Sequence, residues 1–369
     1  MMSAMHNGVR IRDVRTRSAT HRGFTLVELL LVMGIIGALA TIVLSAANPS
    51  KMIQGAQRIG KVRIAGELTK AMTQYYVDSG AYLATATLPT GNALPICKQG
   101  VANDATCVNL SNLAPTYIAS IPRDAAEPVA NYTGYEVRLL NNKPDVQPVL
   151  WNRTGLVGYW RMNERSGTTA ADSSYNGHLM TIFGGNPQWV TGKVDNAVTL
   201  SGGPYFATPH TAALSPSNGL TITGWIRLNS YDTGYAAHWL AKWGTQYSGG
   251  GAPLDTNYAF YMFGNTSGVP GTVALLADGS AASWSNLTPL SPQIPLGTWT
   301  HYAATYDAGI GGKLYINGIF YGSVAPVGTL VTNAQGVTSQ LADGSIDDLR
   351  IYNRALTSQE IKDIYNGVN

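Results

Sequence analysis

The chain has 369 residues, a length sufficient for two domains. Charged residues make up only 12% of it, and the formal net charge is +3. Five arginines and a single acid lie within residues 1–23, so the 19 remaining basic residues face 20 acidic ones. This nearly neutral body has no basic stripe of the kind that binds a phosphate backbone, and nucleic acid is therefore excluded as an expected partner.

The arginine-rich residues 1–23 precede an apolar run from Phe24 to Ala47. As a helix, this run would be about 36 Å long at about 1.5 Å per residue, enough to cross a bilayer. It exceeds the apolar region of an ordinary secretory signal peptide. The arginine cluster predicts a cytoplasmic N-terminus, so we expect the rest of the chain beyond the cytoplasmic membrane.

One carboxylate, Glu28, interrupts the apolar run close to its start. A charge near the end of a span costs less than one at its centre, where insertion scales give about 2.5–3.5 kcal/mol. Two interpretations follow. Glu28 is either a charge that reaches the membrane interface, or a group whose counter-ion comes from another copy of the chain.

The stretch GFTLVELL, from Gly23 to Leu30, resembles the cleavage and methylation site of type IV prepilins and type II secretion pseudopilins. The resemblance implies that a prepilin peptidase removes residues 1–23 by cutting after Gly23, and then methylates the new amine of Phe24. It also implies that the Glu28 carboxylate pairs with the Phe24 amine of a neighbouring pilin subunit in the dry core of a filament. The expected partners are the peptidase, other pilin subunits and the cell membrane.

Apolar residues recur every three to four positions from Ile53 to Tyr75, which predicts that the helix continues. Pro49 should interrupt it, and Gly80 fits a C-cap. Short strands and loops follow as far as residue 150, and they resemble the small globular head of pilins. We therefore expect an α+β pilin module, a long helix plus a small head, over residues 24–150.

Two cysteines, Cys97 and Cys107, lie in the predicted head. The alternatives are two free thiols or a disulfide, which requires an oxidising compartment. The expected export of this part of the chain favours the disulfide. A zinc site is disfavoured, because no histidine lies at ligand spacing.

From Gly155 onward, short β segments dominate the sequence. The strict alternation from Leu220 to Leu228 predicts a half-buried strand, and Asn317-Gly318 predicts the turn of a hairpin. Thr357 and Glu360 form a capping box before a terminal helix. Further strands are predicted at Tyr258–Phe263, Thr272–Leu276 and Thr300–Tyr306. Many short strands separated by turns are typical of a sandwich.

Six stretches of this region are similar to laminin-G-like, concanavalin-A-like jelly rolls. They are GYWRMNE from Gly158, SGTTAADSS from Ser166, NAVTLSGG from Asn196, TITGWI from Thr221, GTWTHY from Gly297 and IDDLRIYNRAL from Ile346. The resemblance runs over residues 155–366 and implies an all-β jelly-roll sandwich. Members of this superfamily bind glycans or proteins, and some relatives are glycosidases, so the fold does not decide the function.

Asp347 shares strand parity with Leu349 and Ile351, so it should face the core with them and need a partner. In similar jelly rolls this partner is often a structural Ca²⁺, held also by oxygens of the turn that corresponds to Asp172–Asn176. The resemblance thus implies a calcium site with Asp172 and Asp347 as its carboxylates and with backbone carbonyls completing the shell. The alternative is that Asp347 caps loop amides without a metal.

Aromatic residues are candidates for stacking on sugars. Trp160, Trp225 and Trp299 lie within strand motifs and are expected to pack inside the domain. Trp243 and Trp284 are better candidates for exposure. For both, a structural role is nevertheless favoured over sugar stacking.

Related glucanases carry two or three carboxylates at alternating positions of one strand, as acid and nucleophile. This sequence has no such strand, because Glu164 stands alone and Glu360 falls in the predicted terminal helix. We therefore expect no enzymatic activity.

Three hypotheses for function follow. The first is a minor type IV pilin that displays the jelly roll as an adhesin on a surface filament, with a glycan or a protein as ligand. The second is a type II secretion pseudopilin whose jelly roll contacts exoproteins. The third is a glycan-active enzyme on a pilus anchor, against which the missing carboxylate strand argues.

Overall fold

The computed structural model describes residues 25–47, 49–82, 88–89, 93–101, 107–125, 127, 129–149, 153–231, 237–243, 256–263, 271–277, 291–341 and 343–367. The chain divides into two compact units, residues 1–59 and residues 60–369. The head and the β-sandwich both belong to the second unit.

Two helices open the described chain, α1 over Leu26–Ala47 and α2 over Pro49–Ser79. Residue 48, between the two helices, lies outside the described residues, so the interruption expected at Pro49 stays a prediction. After Ser79, Gly80 takes a φ of 75° and donates its N–H to the Tyr76 carbonyl at 2.8 Å. This is the predicted C-cap.

The head packs three strands and a short helix against the part of α2 that follows Gly60. Leu68 and Met72 of α2 are fully buried in its core. A disulfide joins Cys97 to Cys107, as predicted. The elements are β1 Leu94–Cys97, a 3-10 helix Ser111–Leu113, β2 Tyr132–Leu140 and β3 Lys143–Pro148, and the antiparallel sheet has the order β1-β2-β3.

The strands that follow are β4 Leu156–Trp160, β5 Thr169–Ala170, β6 Met180–Phe183, β7 Gln188–Thr191, β8 Asn196–Ser201, β9 Tyr205–Thr208, β10 Gly219–Leu228, β11 Ala237–Lys242, β12 Tyr258–Met262, β13 Val273–Ala277, β14 Thr300–Asp307, β15 Gly311–Ile316, β16 Ile319–Val324, β17 Val337–Gln340 and β18 Asp343–Tyr352. An eight-stranded sheet has the order β16-β15-β14-β10-β18-β8-β7, with β4 also paired to β18. A seven-stranded sheet has the order β13-β12-β11-β17-β9-β6-β5. The two antiparallel sheets enclose one apolar core, so the predicted jelly-roll sandwich is confirmed.

Strand β10 is buried on both faces, whereas its alternation predicted a half-buried strand. Leu220 and Ile222 face the core between the sheets. Thr221 points to the outer face, where its hydroxyl donates to the Arg354 carbonyl at 2.7 Å. The terminal segment covers this face, because Ile361 packs there against the outer side chains of the eight-stranded sheet.

Local signals in the sequence give the expected elements. Asn317 and Gly318 take φ values of 49° and 74°, which form the turn between β15 and β16. The terminal helix α3 spans Ser358–Tyr365. At its start, the Glu360 N–H donates to the Thr357 hydroxyl at 3.2 Å and the Thr357 N–H donates to the Glu360 carboxylate at 2.8 Å.

Candidate functional site

Glu28 lies in the first turn of α1. Its Oε2 accepts hydrogen bonds from the Thr25 N–H at 2.8 Å and from the Thr25 hydroxyl at 2.9 Å, and the Glu28 N–H donates to Thr25 Oγ1 at 3.2 Å. This reciprocal capping holds the carboxylate at the very start of the helix. The predicted processing residues Gly23 and Phe24 lie outside the described residues.

Asp347 is fully buried, but on a different face from the one predicted. Ile346 and Leu349 both lie in the core although they are three positions apart, because a β-bulge interrupts the pairing of β18 with β10. Asp348 occupies the bulge with a φ of 55°. The extra residue places Asp347 opposite Trp225, on the outer face of the eight-stranded sheet, so the parity argument that put it with Leu349 is wrong.

The Asp347 carboxylate caps the turn between β7 and β8. Its Oδ2 accepts from the N–H of Lys193 at 2.7 Å and from the N–H of Val194 at 2.8 Å. Oδ1 is buried and accepts no hydrogen bond from a described residue. Burial, with a further contribution from the neighbouring Asp348 carboxylate, raises the pKa of Asp347 to about 8.

The Asp172 carboxylate organises a different turn. Its Oδ1 accepts from the N–H of Tyr159 at 3.0 Å and from the N–H of Ser174 at 2.9 Å. Its Oδ2 accepts from the N–H of His178 at 2.9 Å. Asp172 and Asp347 thus have separate sets of partners.

The two carboxylates of the predicted calcium site, Asp172 and Asp347, both accept hydrogen bonds from loop amides. Ca²⁺ takes six to eight oxygen ligands. In the structure, both oxygens of the Asp172 carboxylate accept hydrogen bonds from backbone N–H groups. Asp347 keeps one oxygen without a partner. Across the described ranges, no three or more His, Cys, Asp or Glu side chains are grouped so that they could hold a metal. The hydrogen bonds correspond to the alternative of carboxylates that cap loop amides, and calcium binding stays a prediction.

Of the three tryptophans expected to pack inside the domain, two are buried. Trp160 and Trp225 are buried, with 0% and 4% of their surface exposed. Trp299 is half-buried, and the Arg227 guanidinium lies 5.3 Å from its ring centroid. Trp243 is half-buried at the end of β11, and Trp284 lies outside the described residues.

Trp243 belongs to a group of four half-buried rings on the outer face of the seven-stranded sheet. We call His238, Trp243, Tyr261 and Phe263 the aromatic row. Its neighbouring ring centroids are 6.0 Å apart for His238 and Trp243, 5.8 Å for Trp243 and Tyr261, and 5.4 Å for Tyr261 and Phe263. The first two pairs are stacked, with interplanar angles of 13° and 23°.

The backbone beneath the aromatic row carries small side chains. Ala241 pairs with Ala259 across β11 and β12, and Trp243 and Tyr261 pack against both. The His238 Nε2 lies 2.9 Å from the Thr338 hydroxyl of the next strand, which fixes the imidazole ring. Trp243 and Tyr261, nearly parallel and packed on two alanines, form a surface suited to a flat, partly apolar ligand.

The sequence predicted only Trp243 of this row. Tyr261 in β12 and Phe263 just after it are two positions apart, but Tyr258 and Phe260 on the opposite face are equally aromatic, so alternation alone cannot identify the outer face. His238 and Trp243 reach the same face because the pairing of β11 with β12 shifts between His238 and Leu240. No local signal in the sequence marks this shift.

The junction between the head and the sandwich was also missed. Arg153 Nη1 lies 3.0 Å from both carboxylate oxygens of Glu127. Arg161 Nη1 donates to Glu136 Oε1 at 2.8 Å, and the Tyr175 hydroxyl donates to Glu136 Oε2 at 2.8 Å. These pairs fix the head against the sandwich.

The two carboxylates that the sequence analysis considered as isolated acids, Glu164 and Glu360, both form hydrogen bonds within the domain. Glu164 Oε1 accepts from the Ala171 N–H at 2.9 Å. Glu360, besides capping α3, accepts from Arg354 Nη2 at 2.6 Å.

Comparisons with known proteins confirm both resemblances. Residues 19–44 match the prokaryotic N-terminal methylation motif, and residues 200–362 match the concanavalin A-like lectin/glucanases superfamily. The chain therefore joins a pilin-type methylation motif to a lectin-like jelly-roll domain. Within the described residues, no helix combines the length and apolar character needed to cross a membrane. No curated protein matches the chain by sequence.

Solved structures with similar folds are distant. Domain 4 of AbnA, a GH43 extracellular arabinanase from Geobacillus stearothermophilus, in complex with arabinotriose, is 24% identical with a TM-score of 0.44, and the match covers 58% of this chain and 100% of that one. The binding domain of Paraclostridial Mosquitocidal Protein 1 is 17% identical with a TM-score of 0.47, and the match covers 58% of this chain and 52% of that one. This chain thus spans about half of the second structure. At these scores, the likenesses carry no conclusion about the ligand.

Proposed function

We propose that this chain is a minor type IV pilin-like subunit that displays its jelly roll as an adhesin on a surface filament. In this proposal, residues 24–47 anchor the precursor in the cytoplasmic membrane, and a prepilin peptidase cleaves and methylates it at Gly23-Phe24. The observation that carries the proposal is the methylation motif over residues 19–44 in one chain with a lectin-like domain.

Glu28 provides the assembly contact in this proposal. Its Oε2 is engaged by Thr25 of the same chain, and no described residue bonds Oε1. We infer that this carboxylate, at the start of α1, pairs with the Phe24 amine of the adjacent subunit. In a dry filament core, each of these charges needs the other as its counter-ion.

Substitution at Glu28 tests this contact. Glu28→Ala should still reach the membrane, because a more apolar span inserts at least as well. We expect its incorporation into sheared filaments to fall at least tenfold, with Glu28→Asp intermediate because the shorter side chain reaches the amine poorly.

Glu67→Ala is the matched control, because Glu67 lies on α2 and forms only an exposed ion pair with Arg63. It should assemble normally. Wild-type incorporation of Glu28→Ala would contradict the assembly role. Recovery of the chain only with secretion machinery, and never in surface filaments, would favour the pseudopilin hypothesis.

We infer that the aromatic row is the ligand-binding surface of the adhesin. Stacked, half-buried rings over small side chains suit the apolar face of a sugar ring, and polar neighbours such as Thr338 suit its hydroxyls. In our proposal the domain binds glycans without cleaving them, so incubation with a bound glycan should release no new reducing ends.

A glycan array probed with the protein tests this surface. For the best glycan, Trp243→Ala should weaken binding about tenfold, which corresponds to about 1.4 kcal/mol. Trp189→Ala is the control, because Trp189 is also half-buried but lies on β7 of the other sheet. Equal affinity of Trp243→Ala and the wild type would exclude the aromatic row as the glycan surface.

A further inference from the structure

Lys242 is a fully buried lysine at the end of β11. Its ammonium donates to the backbone carbonyl of Gln335 and to Nδ1 of His210, the latter at 2.9 Å. No carboxylate of the described residues forms an ion pair with it. A buried charge that no described carboxylate neutralises is costly to hold in a protein interior.

The contact with Lys242 decides the tautomer of His210. An ammonium group has only donors, so His210 Nδ1 must accept its hydrogen bond. The neutral imidazole therefore carries its proton on Nε2. His210 is exposed, so Nε2–H is a donor at the surface with a positive charge directly behind it.

His210 lines a cavity of about 350 Å³ between the segment that follows β9 and the segment that precedes β17. Its other lining residues are Ala212, Ser215, Thr332, Asn333 and Ala334. Ser215 is 8% exposed, and its hydroxyl has no hydrogen-bond partner among the described residues. The cavity thus combines the unpartnered Ser215 hydroxyl with a histidine donor, and the Lys242 ammonium lies behind that histidine.

We propose that this cavity binds the carboxylate of an acidic sugar, such as a uronic acid. His210 Nε2–H and the Ser215 hydroxyl donate to the two carboxylate oxygens, and Lys242 supplies the compensating charge from beneath. The volume is that of a small-molecule site, and the Thr332 hydroxyl suits a sugar hydroxyl. The cavity shares no residue with the aromatic row, so the proposal stands independently of glycan binding there.

Ligand-observed NMR on the full-length protein in detergent micelles tests the proposal with D-glucuronate and D-glucose, which differ only in the acidic group. We expect glucuronate to bind at least tenfold more tightly than glucose. Lys242→Met keeps the length of the side chain but removes the charge, and it should abolish this preference. Lys313→Met, which removes the same charge from β15 of the other sheet, should retain it.

A second variant keeps the test decisive if Lys242→Met misfolds. His210 is exposed, so His210→Ala should fold normally and should lose the preference for glucuronate equally. Equal affinities for glucuronate and glucose in the wild type, or a preference that survives in His210→Ala, would overturn the proposal. Loss of binding in Trp243→Ala on the glycan array is a separate readout, so failure here and failure at the aromatic row are distinguishable.

Discussion

Removing the charge of Glu127 should destabilise the protein strongly. The Glu127 and Arg153 side chains are only 2% and 4% exposed, and both carboxylate oxygens lie 3.0 Å from one guanidinium nitrogen. The guanidinium also lies 4.9 Å from the ring centroid of Tyr175 in the sandwich and 5.4 Å from that of Tyr132 in the head. Glu127→Gln keeps the volume but leaves Arg153 as a buried cation without its partner.

The expected loss is about 3–5 kcal/mol, the range for breaking one partner out of a buried ion pair. Coulomb's law agrees in magnitude, because unit charges about 4 Å apart at an effective dielectric of about 20 attract by about 4 kcal/mol. The double variant Glu127→Gln with Arg153→Met should lose less than the sum of the single changes, because it leaves no unpaired charge.

Urea unfolding of residues 60–369, which form one compact unit, measures this loss. The control is Asp145→Asn, because the Arg138–Asp145 pair has the same 3.0 Å separation but both side chains are 23% exposed. We expect the control to lose less than about 1 kcal/mol. A loss below about 1 kcal/mol in Glu127→Gln would refute the view that buried charges hold the head on the sandwich.

Three further outcomes are expected. Reducing the Cys97–Cys107 disulfide should cost about 3 kcal/mol by the loop-entropy relation, measured by urea unfolding with and without reductant, and no change would contradict it. Burial lowers the pKa of His301 to about 3, below its usual value of about 6.5. Below about pH 6.5 the unfolded chain binds a proton at this histidine and the folded protein does not, so stability falls as the pH falls from about 6.5 to about 3. Between pH 7 and 5 the wild type should lose about 2 kcal/mol more than His301→Gln, and equal losses would refute a buried neutral imidazole. If Ca²⁺ binds at Asp347, EGTA should lower the Tm of the wild type and leave that of Asp347→Asn unchanged; an unaffected wild type would leave Asp347 as an amide cap.

Features that depend on a few residues adjacent in the sequence were predictable. The turn at Asn317-Gly318 and the cap at Gly80 follow from backbone conformations that these residues favour. The bulge at Asp348 was not predictable, because an aspartate at positive φ carries no signal of its own and one extra residue reverses the faces of a strand.

Sites built from residues that are far apart in the sequence were also not predictable from it. Arg153 and Glu127 are 26 residues apart, and the sequence alone cannot pair them. Lys242 and His210 are 32 residues apart, at the end of β11 and after β9, two strands that both pair with β17. The methylation motif was recognisable because its residues are contiguous, whereas a binding surface assembled from several strands is not.

Intact-mass analysis of this chain recovered from sheared surface filaments tests the central claim most directly. We predict a chain that begins at Phe24, lacks residues 1–23 and carries one additional methyl group on the Phe24 amine. A mature chain that begins after Ala46 or Ala47 would instead indicate an ordinary signal peptide, and it would contradict the assignment of this protein as a pilin-like filament subunit.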